Sequence, residues 1–202
     1  MNLRGLDLVY WNNFVETGSC SAFQRLYDAY SDVLYDFGMR YTDDSDLVKD
    51  SIHDLFIDLH AYHKNLAKEV NVHYYLLKSF KRKLLVVKRK SERFRFQSSS
   101  DPSFSIRSFD YSTEDLMIQD EEQKRLMASL ADEINRLPER QREILYLRYT
   151  HDLDYEQIAQ MMQISVPTCR TFVYRALKVL RDNLEPSAIL FLTSQLSFIL
   201  QE

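Results

Sequence analysis

Four aspartates stand four residues apart at Asp46, Asp50, Asp54 and Asp58, and two histidines, His60 and His63, follow them. Carboxylates and imidazoles are the side chains that hold divalent metals, so metal chemistry is the first use to test. The spacing argues against it, because carboxylates repeated every four residues climb one helix face over several turns and do not converge on one ion. His53, His60, His63, His73 and His151 include no HExxH pair, and Cys20 and Cys169 have no companion at metal-ligand spacing. Only three glycines in 202 residues argue against a phosphate-cradling loop or dinucleotide fingerprint. The expectation is a protein that is not an enzyme, with no metal and no cofactor, whose acidic face is a protein-docking or solvated surface.

Cations suggest a different chemistry. The net charge of −4 argues on average against nucleic acid, but charge is segregated along the chain. Asp28 to Asp58 holds nine aspartates against Arg40 and Lys49, whereas Lys64 to Arg95 holds eleven Lys or Arg against Glu69 and Glu92. Asp110 to Glu122 carries six acids and no base, and Val166 to Arg181 carries four bases and no acid. Two basic runs on an otherwise acidic chain point to a polyanionic partner.

The elements that must position these charges read as helices throughout. Leu6 to Val15 is a short helix ending near Gly18, with Ser19 or Ser21 able to cap the next one. Phe23, Leu26, Tyr27, Tyr30, Leu34, Phe37 and Tyr41 recur at three- and four-residue steps. A further helix opposes Leu47, Val48, Ile52, Leu55, Phe56 and Leu59 to the aspartates. His60 to Val72 reads as a polar loop or frayed connection. From Tyr74 to Lys90 the pattern puts Tyr75, Leu76, Phe80, Leu84 and Val87 inward and the lysines outward. The run Gln97-Ser98-Ser99-Ser100-Asp101-Pro102-Ser103 has linker composition. The expected organisation is a helical module over 1–95, a flexible linker over 96–111, a second helical module over 112–185 and an apolar extension over 186–202. No signal peptide or membrane span is expected, which with two separated cysteines suggests a reducing, cytoplasmic setting.

In the second module a long helix runs from about Thr113 to Arg136, and Pro138 opens another that continues to the break at His151-Asp152. Asp154 and Gln157 form a capping-box pattern before Ile158, Ala159 and Met162. After the turn at Gln163-Ile164, Ser165 caps a helix that faces Cys169, Val173, Ala176, Leu177 and Leu180 inward. A short helix with a small residue followed by this longer one is a helix-turn-helix pattern. Its outward residues Thr168, Arg170, Thr171, Tyr174 and Arg175 are candidates to meet bases, and Lys178 and Arg181 to meet phosphate.

These motifs together resemble the alternative sigma factors of bacterial RNA polymerase, in the short extracytoplasmic-function class. The resemblance rests on Ala22-Phe23-Gln24-Arg25-Leu26-Tyr27-Asp28-Ala29-Tyr30, on Asp46 to Phe56, on Leu137-Pro138-Glu139-Arg140-Gln141-Arg142-Glu143-Ile144, and on Ile158-Ala159, Ile164-Ser165 and Arg175 to Arg181. It implies that Asp46, Asp50, Ile52, His53, Asp54 and Phe56 lie on a surface for core RNA polymerase. It also implies that 60–90 captures the minus-ten strand of promoter DNA, with Asn71, Tyr74 and Tyr75 on the base side and Lys78, Lys81, Arg82, Lys88 and Arg89 on phosphates. The second module would read the minus-thirty-five element through the residues named above. An anti-sigma protein is a candidate further partner, and the free factor is expected to be a monomer.

Three departures accompany the resemblance: His60 stands where many relatives have tryptophan, Phe172 where the reading helix is often basic, and the extension from Pro186 lies beyond the family core. The competing reading is a one-component regulator that binds duplex DNA through its helix-turn-helix without polymerase. Opposite charges tethered by the linker further suggest that the free protein populates a closed form, with the acidic stretch and the apolar tail shielding the strand-binding surface.

Overall fold

Side-chain oxygens set where most of the helices begin. In the computed structural model the described residues are 3–95, 106–107 and 121–184. The acidic stretch over 110–120, most of the linker and the extension from 186 fall outside them, and with them the expected closed form. The chain divides into two units, Met1–Phe104 and Ser105–Glu202.

The first unit is built from α1 (Leu3–Thr17), α2 (Cys20–Met39), α3 (Ser45–Ala61), a 3-10 turn (His63–Asn65) and α4 (Val72–Arg95). Gly18, at φ 67°, ends α1 in the left-handed region that glycine enters without a Cβ penalty. Ser19 then caps α2, its hydroxyl accepting from the Ala22 amide at 3.3 Å, which decides between the two serines. Asp44 caps α3 through the Leu47 amide at 3.0 Å, and Asn71 caps α4 through the Tyr74 amide at 2.9 Å.

Apolar positions at helical spacing close the core. Leu26, Leu34 and Phe37 of α2, Val48, Leu55 and Phe56 of α3, and Leu76, Phe80 and Leu84 of α4 are all buried. Each such side chain contributes roughly 1.5–3 kcal/mol by leaving water. The first helix is longer than its apolar pattern implied, and it contributes Trp11 and Phe14 at 0% exposure. It also buries Asp7, which accepts a hydrogen bond from the Tyr30 hydroxyl at 2.7 Å.

The connection before α4 is not frayed. Trp11 Nε1 donates to the Ala67 carbonyl at 2.9 Å, Lys68 pairs with Glu16 at 2.7 Å, and the Glu69 amide donates to Asn12 Oδ1 at 3.3 Å. Sequence periodicity could not register this, since the partners lie more than fifty residues apart and most of the contacts are to backbone.

The second unit comprises α5 (Glu121–Arg136), α6 (Glu139–Leu145), a π-helical turn (Tyr146–Thr150), α7 (Tyr155–Met162) and α8 (Val166–Asn183). Pro138 is the N-cap residue of α6, just ahead of its first turn. Ile144, Leu145, Tyr146 and Leu147 are buried in succession, which a regular helix face would not give. The π turn widens the winding and brings them all inside, while Tyr149, expected inward, is only half-buried. Leu130, Ala131 and Leu137 complete the core, with Leu126 and Ile134 half-buried. Buried Glu133 pairs with Arg136 and accepts from Asn183 Nδ2 at 3.0 Å, tying α5 to the end of α8. Among the described residues no helix is long and apolar enough to cross a membrane.

Gly38 sits where α2, α3 and α4 meet, and a Cβ there would stand 2.7 Å from Val48 Cγ1 and 3.1 Å from Phe80. Overpacking of this kind costs about 1–3 kcal/mol, against about 1 kcal/mol gained in helix propensity. Gly38→Ala is therefore expected to lower first-unit stability by about 1 kcal/mol. A urea midpoint equal to or above that of the parent would refute this.

Candidate nucleic-acid interface

Helical geometry sorts the candidate residues of α4 into two faces. Lys78, Arg82 and Arg89 fall within one narrow stripe, because steps of four and seven residues nearly close whole turns, and Tyr74 lies at its edge toward Lys81. Lys78, Arg82 and Arg89 are exposed, and Lys78 Nζ donates to the Tyr74 hydroxyl at 2.9 Å. Lys81 and Lys88 share a different face. Lys81 is 6% exposed, with its ammonium 5.4 Å from the centre of the Tyr41 ring, and Lys88 Nζ donates to the Tyr41 carbonyl at 3.1 Å. Both cations thus serve the C-terminal end of α2, where positive charge complements the helix dipole. The expectation that every lysine of α4 points outward fails at these two.

An open groove of about 540 Å3 runs between α3 and α4. Leu55, Leu59, Leu66, Val86 and Val87 form its apolar lining, Tyr62 and Tyr75 contribute rings, and Ser79, Arg82, Lys83 and the carboxylates of Asp54 and Asp58 contribute polar atoms. Tyr75 also packs on Trp11 at 5.0 Å between ring centres, so its ring is held in place. Asn71 has its amide oxygen committed to the α4 cap. Tyr62, which the sequence reading did not single out, is 60% exposed at this groove. Its signal would have been an aromatic at a helix end beside a basic helix.

The acidic face of α3 is likewise divided. Lys83 from α4 pairs with Asp58 at 2.7 Å and lies 4.0 Å from Asp54, and Lys49 lies 4.0 Å from Asp46. Asp50 and His53 are exposed, and Asp50 makes no ion pair among the described residues. Ile52 and Phe56 are buried at 5% and 3% exposure. Phe56 packs against Tyr27 at 4.8 Å and Phe23 at 5.8 Å, so these two residues hold the helix in place and do not form part of its outer surface. Among the described residues no cluster of three or more His, Cys, Asp or Glu is arranged for a metal. His60 and His63 instead pack against Phe14.

In the second unit the helix-turn-helix is closed by its own polar residues. The capping box is complete, with the Gln157 amide on Asp154 Oδ1 at 2.7 Å and the Asp154 amide on Gln157 Oε1 at 3.0 Å. Gln163 takes φ 55° at the turn, and Ser165 caps α8 through the Thr168 amide at 3.2 Å. Pro167 sits in the first turn of α8, where no amide hydrogen is required. Cys169, Val173, Ala176 and Leu180 face inward, while Leu177 is half-buried.

Arg170, Thr171, Tyr174, Arg175 and Lys178 are exposed, with Tyr174 at 68%. Thr168 is half-buried and shares a 2.8 Å hydrogen bond with Ser165, and Thr171 donates to the Pro167 carbonyl at 2.9 Å. Both hydroxyls therefore have local partners. The arginines of α6 and the following turn brace the motif: Arg140 donates to the Met162 carbonyl at 3.2 Å and Arg148 to the Leu153 carbonyl at 2.7 Å. The sequence reading passed over Arg148, because only the π turn brings it to this side.

Residues 127–180, which include the helix-turn-helix, match the family described as sigma-70, region 4. Over 180 residues the chain is 24% identical to the ECF RNA polymerase sigma factor BldN of Streptomyces coelicolor, a match that covers 86% of this chain and 64% of BldN. It thus spans less than two thirds of that relative's length. The fold is similar to that of CnrH, solved with the cytosolic domain of CnrY, at a TM-score of 0.53 and 15% identity over 87% of this chain and 95% of the other. It is also similar to the sigma factor RpoE, solved with the anti-sigma factor NepR from Bartonella quintana, at a TM-score of 0.52 and 19% identity over 79% and 94% of the two chains.

Cys169 lies fully buried near the start of α8, and burial pushes its thiol up from 9.0 to about 11. The fold holds the neutral thiol, so between pH 9 and 11 the unfolded chain ionises first and second-unit stability falls as pH rises. Cys20 is exposed. One thiol per chain should therefore react with a maleimide under native conditions, and two in denaturant. Two equivalents in the native state would contradict the burial.

Proposed function

We propose that the chain is a promoter-specificity subunit that binds core RNA polymerase, captures one strand of the opened minus-ten region with its first unit and reads the minus-thirty-five element with its second. The carrying observation is that one chain presents two separate surfaces suited to nucleic acid, each matched to a different form of DNA. The exposed Lys78-Arg82-Arg89 stripe, with half-buried Tyr74 at its edge and an aromatic-lined groove beside it, suits an unstacked single strand, whose bases stack on rings while its phosphates meet cations. The N-terminal half of α8, with Arg170, Tyr174 and Arg175 exposed and no acid in its first turn, suits the major groove of a duplex. A regulator that only gripped duplex DNA would have no use for the first of these surfaces.

On this reading Asp50, with His53 and Asp46 beside it, meets the polymerase, while Ile52 and Phe56 act by holding α3 in place. Asn71 orders the start of α4 beside the captured strand, and Tyr75 lines the receiving groove. Lys81 and Lys88 support α4 from behind. Because CnrH and RpoE are each seen with a protein partner, an anti-sigma protein that silences this factor is part of the proposal. The free chain is taken to be a cytoplasmic monomer.

Asp50→Ala is expected to weaken core-polymerase affinity about tenfold, in line with loss of a charged hydrogen bond, with an unchanged helical circular dichroism spectrum. Affinity equal to that of the parent would remove Asp50 from the polymerase surface. Arg170→Ala should cost about 1–3 kcal/mol on the cognate upstream element, whereas Lys178→Ala should weaken all sequences evenly and lower the salt dependence. Equal losses on cognate and scrambled elements for the Arg170 variant would assign that residue to phosphate.

A further inference from the structure

We propose that Tyr155 is a positioning residue for promoter reading, its ring holding the Arg170 guanidinium ready at the start of α8. The Arg170 guanidinium carbon lies 5.5 Å from the centre of the Tyr155 ring, and that of Arg148 lies 5.1 Å from the same centre. Both distances fall within the range in which an aromatic face attracts a cation. Arg148 has a backbone anchor of its own, whereas Arg170, a like charge beside it, has the ring to offset their repulsion.

Each of the three parts is fixed from a different side. Tyr155 is the first residue of α7, enclosed by the capping box of Asp154 and Gln157, so its backbone has little freedom. Arg148 is anchored by its 2.7 Å hydrogen bond to the Leu153 carbonyl, and the π turn sets its direction. Arg170 is the exposed member of the three, one residue beyond the buried Cys169. An exposed arginine loses rotamer freedom when it grips a base edge, and a ring that already holds it removes part of that loss before binding. The ring therefore acts on sequence discrimination through Arg170, while scrambled DNA, held through phosphates, is little affected.

The inference rests on the reading of α8 as the duplex-reading helix. The test uses the full chain assembled with core polymerase, on duplex fragments that this holoenzyme enriches from a library randomised in the upstream element. Tyr155→Leu should lower discrimination between the enriched sequence and its single-base variants about two- to fivefold, with affinity for scrambled fragments unchanged. Tyr155→Phe, which keeps the ring, should retain the parent discrimination. In an Arg170→Ala background, Tyr155→Leu should have no further effect. Parent-like discrimination in the Leu variant, a loss shared by the Phe variant, or a loss that persists without Arg170 would each overturn the positioning role. If Arg170→Ala itself leaves discrimination intact, the reading of α8 falls first, and the two failures are thereby distinguished. A further readout needs no variant: in the free full chain the ring current of Tyr155 should shift the Arg170 Hδ protons upfield, and random-coil positions for them would overturn the proposal.

Discussion

A helix leaves its first amides without partners, and a chain with three glycines and four prolines has few backbone devices for starting and stopping helices. Here side chains take on that work. Ser19, Asp44, Asn71, Asp154 and Ser165 each place an oxygen on an amide two or three residues into the helix that follows. Each such cap is worth about 1 kcal/mol, a large share of the net stability of units this small. Every surface discussed above depends on these registers. A shift of one residue at Asn71 would rotate the Lys78-Arg82-Arg89 stripe by about 100°.

Because the caps fix the registers, the chemistry of one face is tied to the packing of the opposite one. The second helix-turn-helix element shows this most directly: Cys169, Val173 and Ala176 can be buried only if Arg170, Tyr174 and Arg175 face outward. In α4 the same rule gives two cationic faces with different partners. One faces solvent, and the other reaches the Tyr41 ring and carbonyl. Lysine suits the second role because its long apolar stem can be buried while the ammonium finds a carbonyl or ring.

Among the described residues, the helices and the helix-turn-helix were legible from apolar spacing and cap residues, since both signals are local. The buried state of Ile52 and Phe56 was legible too, as they share the apolar face of α3. Their assignment to the polymerase surface came from motif resemblance, which does not separate residues that touch a partner from those that hold the touching helix. What stayed hidden was non-local or irregular. Lys81 and Lys88 required knowledge of where Tyr41 ends up, the binding of 66–69 to α1 joins residues more than fifty positions apart, and the π turn leaves no periodic trace. That turn brings Arg148 beside Tyr155, which is why the arginine pair could not be read from spacing.

Trp11, the single tryptophan of the chain, is completely shielded from water and bonded through its indole nitrogen to the Ala67 carbonyl. Its emission is therefore a reporter of one unit alone: it registers the opening of α1 and the loop it holds, and is blind to the helix-turn-helix. A fluorescence melt of the intact chain would trace a single transition even if the two units unfold at different temperatures, whereas far-ultraviolet dichroism sums both. Comparing the two probes turns this one buried indole into a measure of whether the units unfold independently.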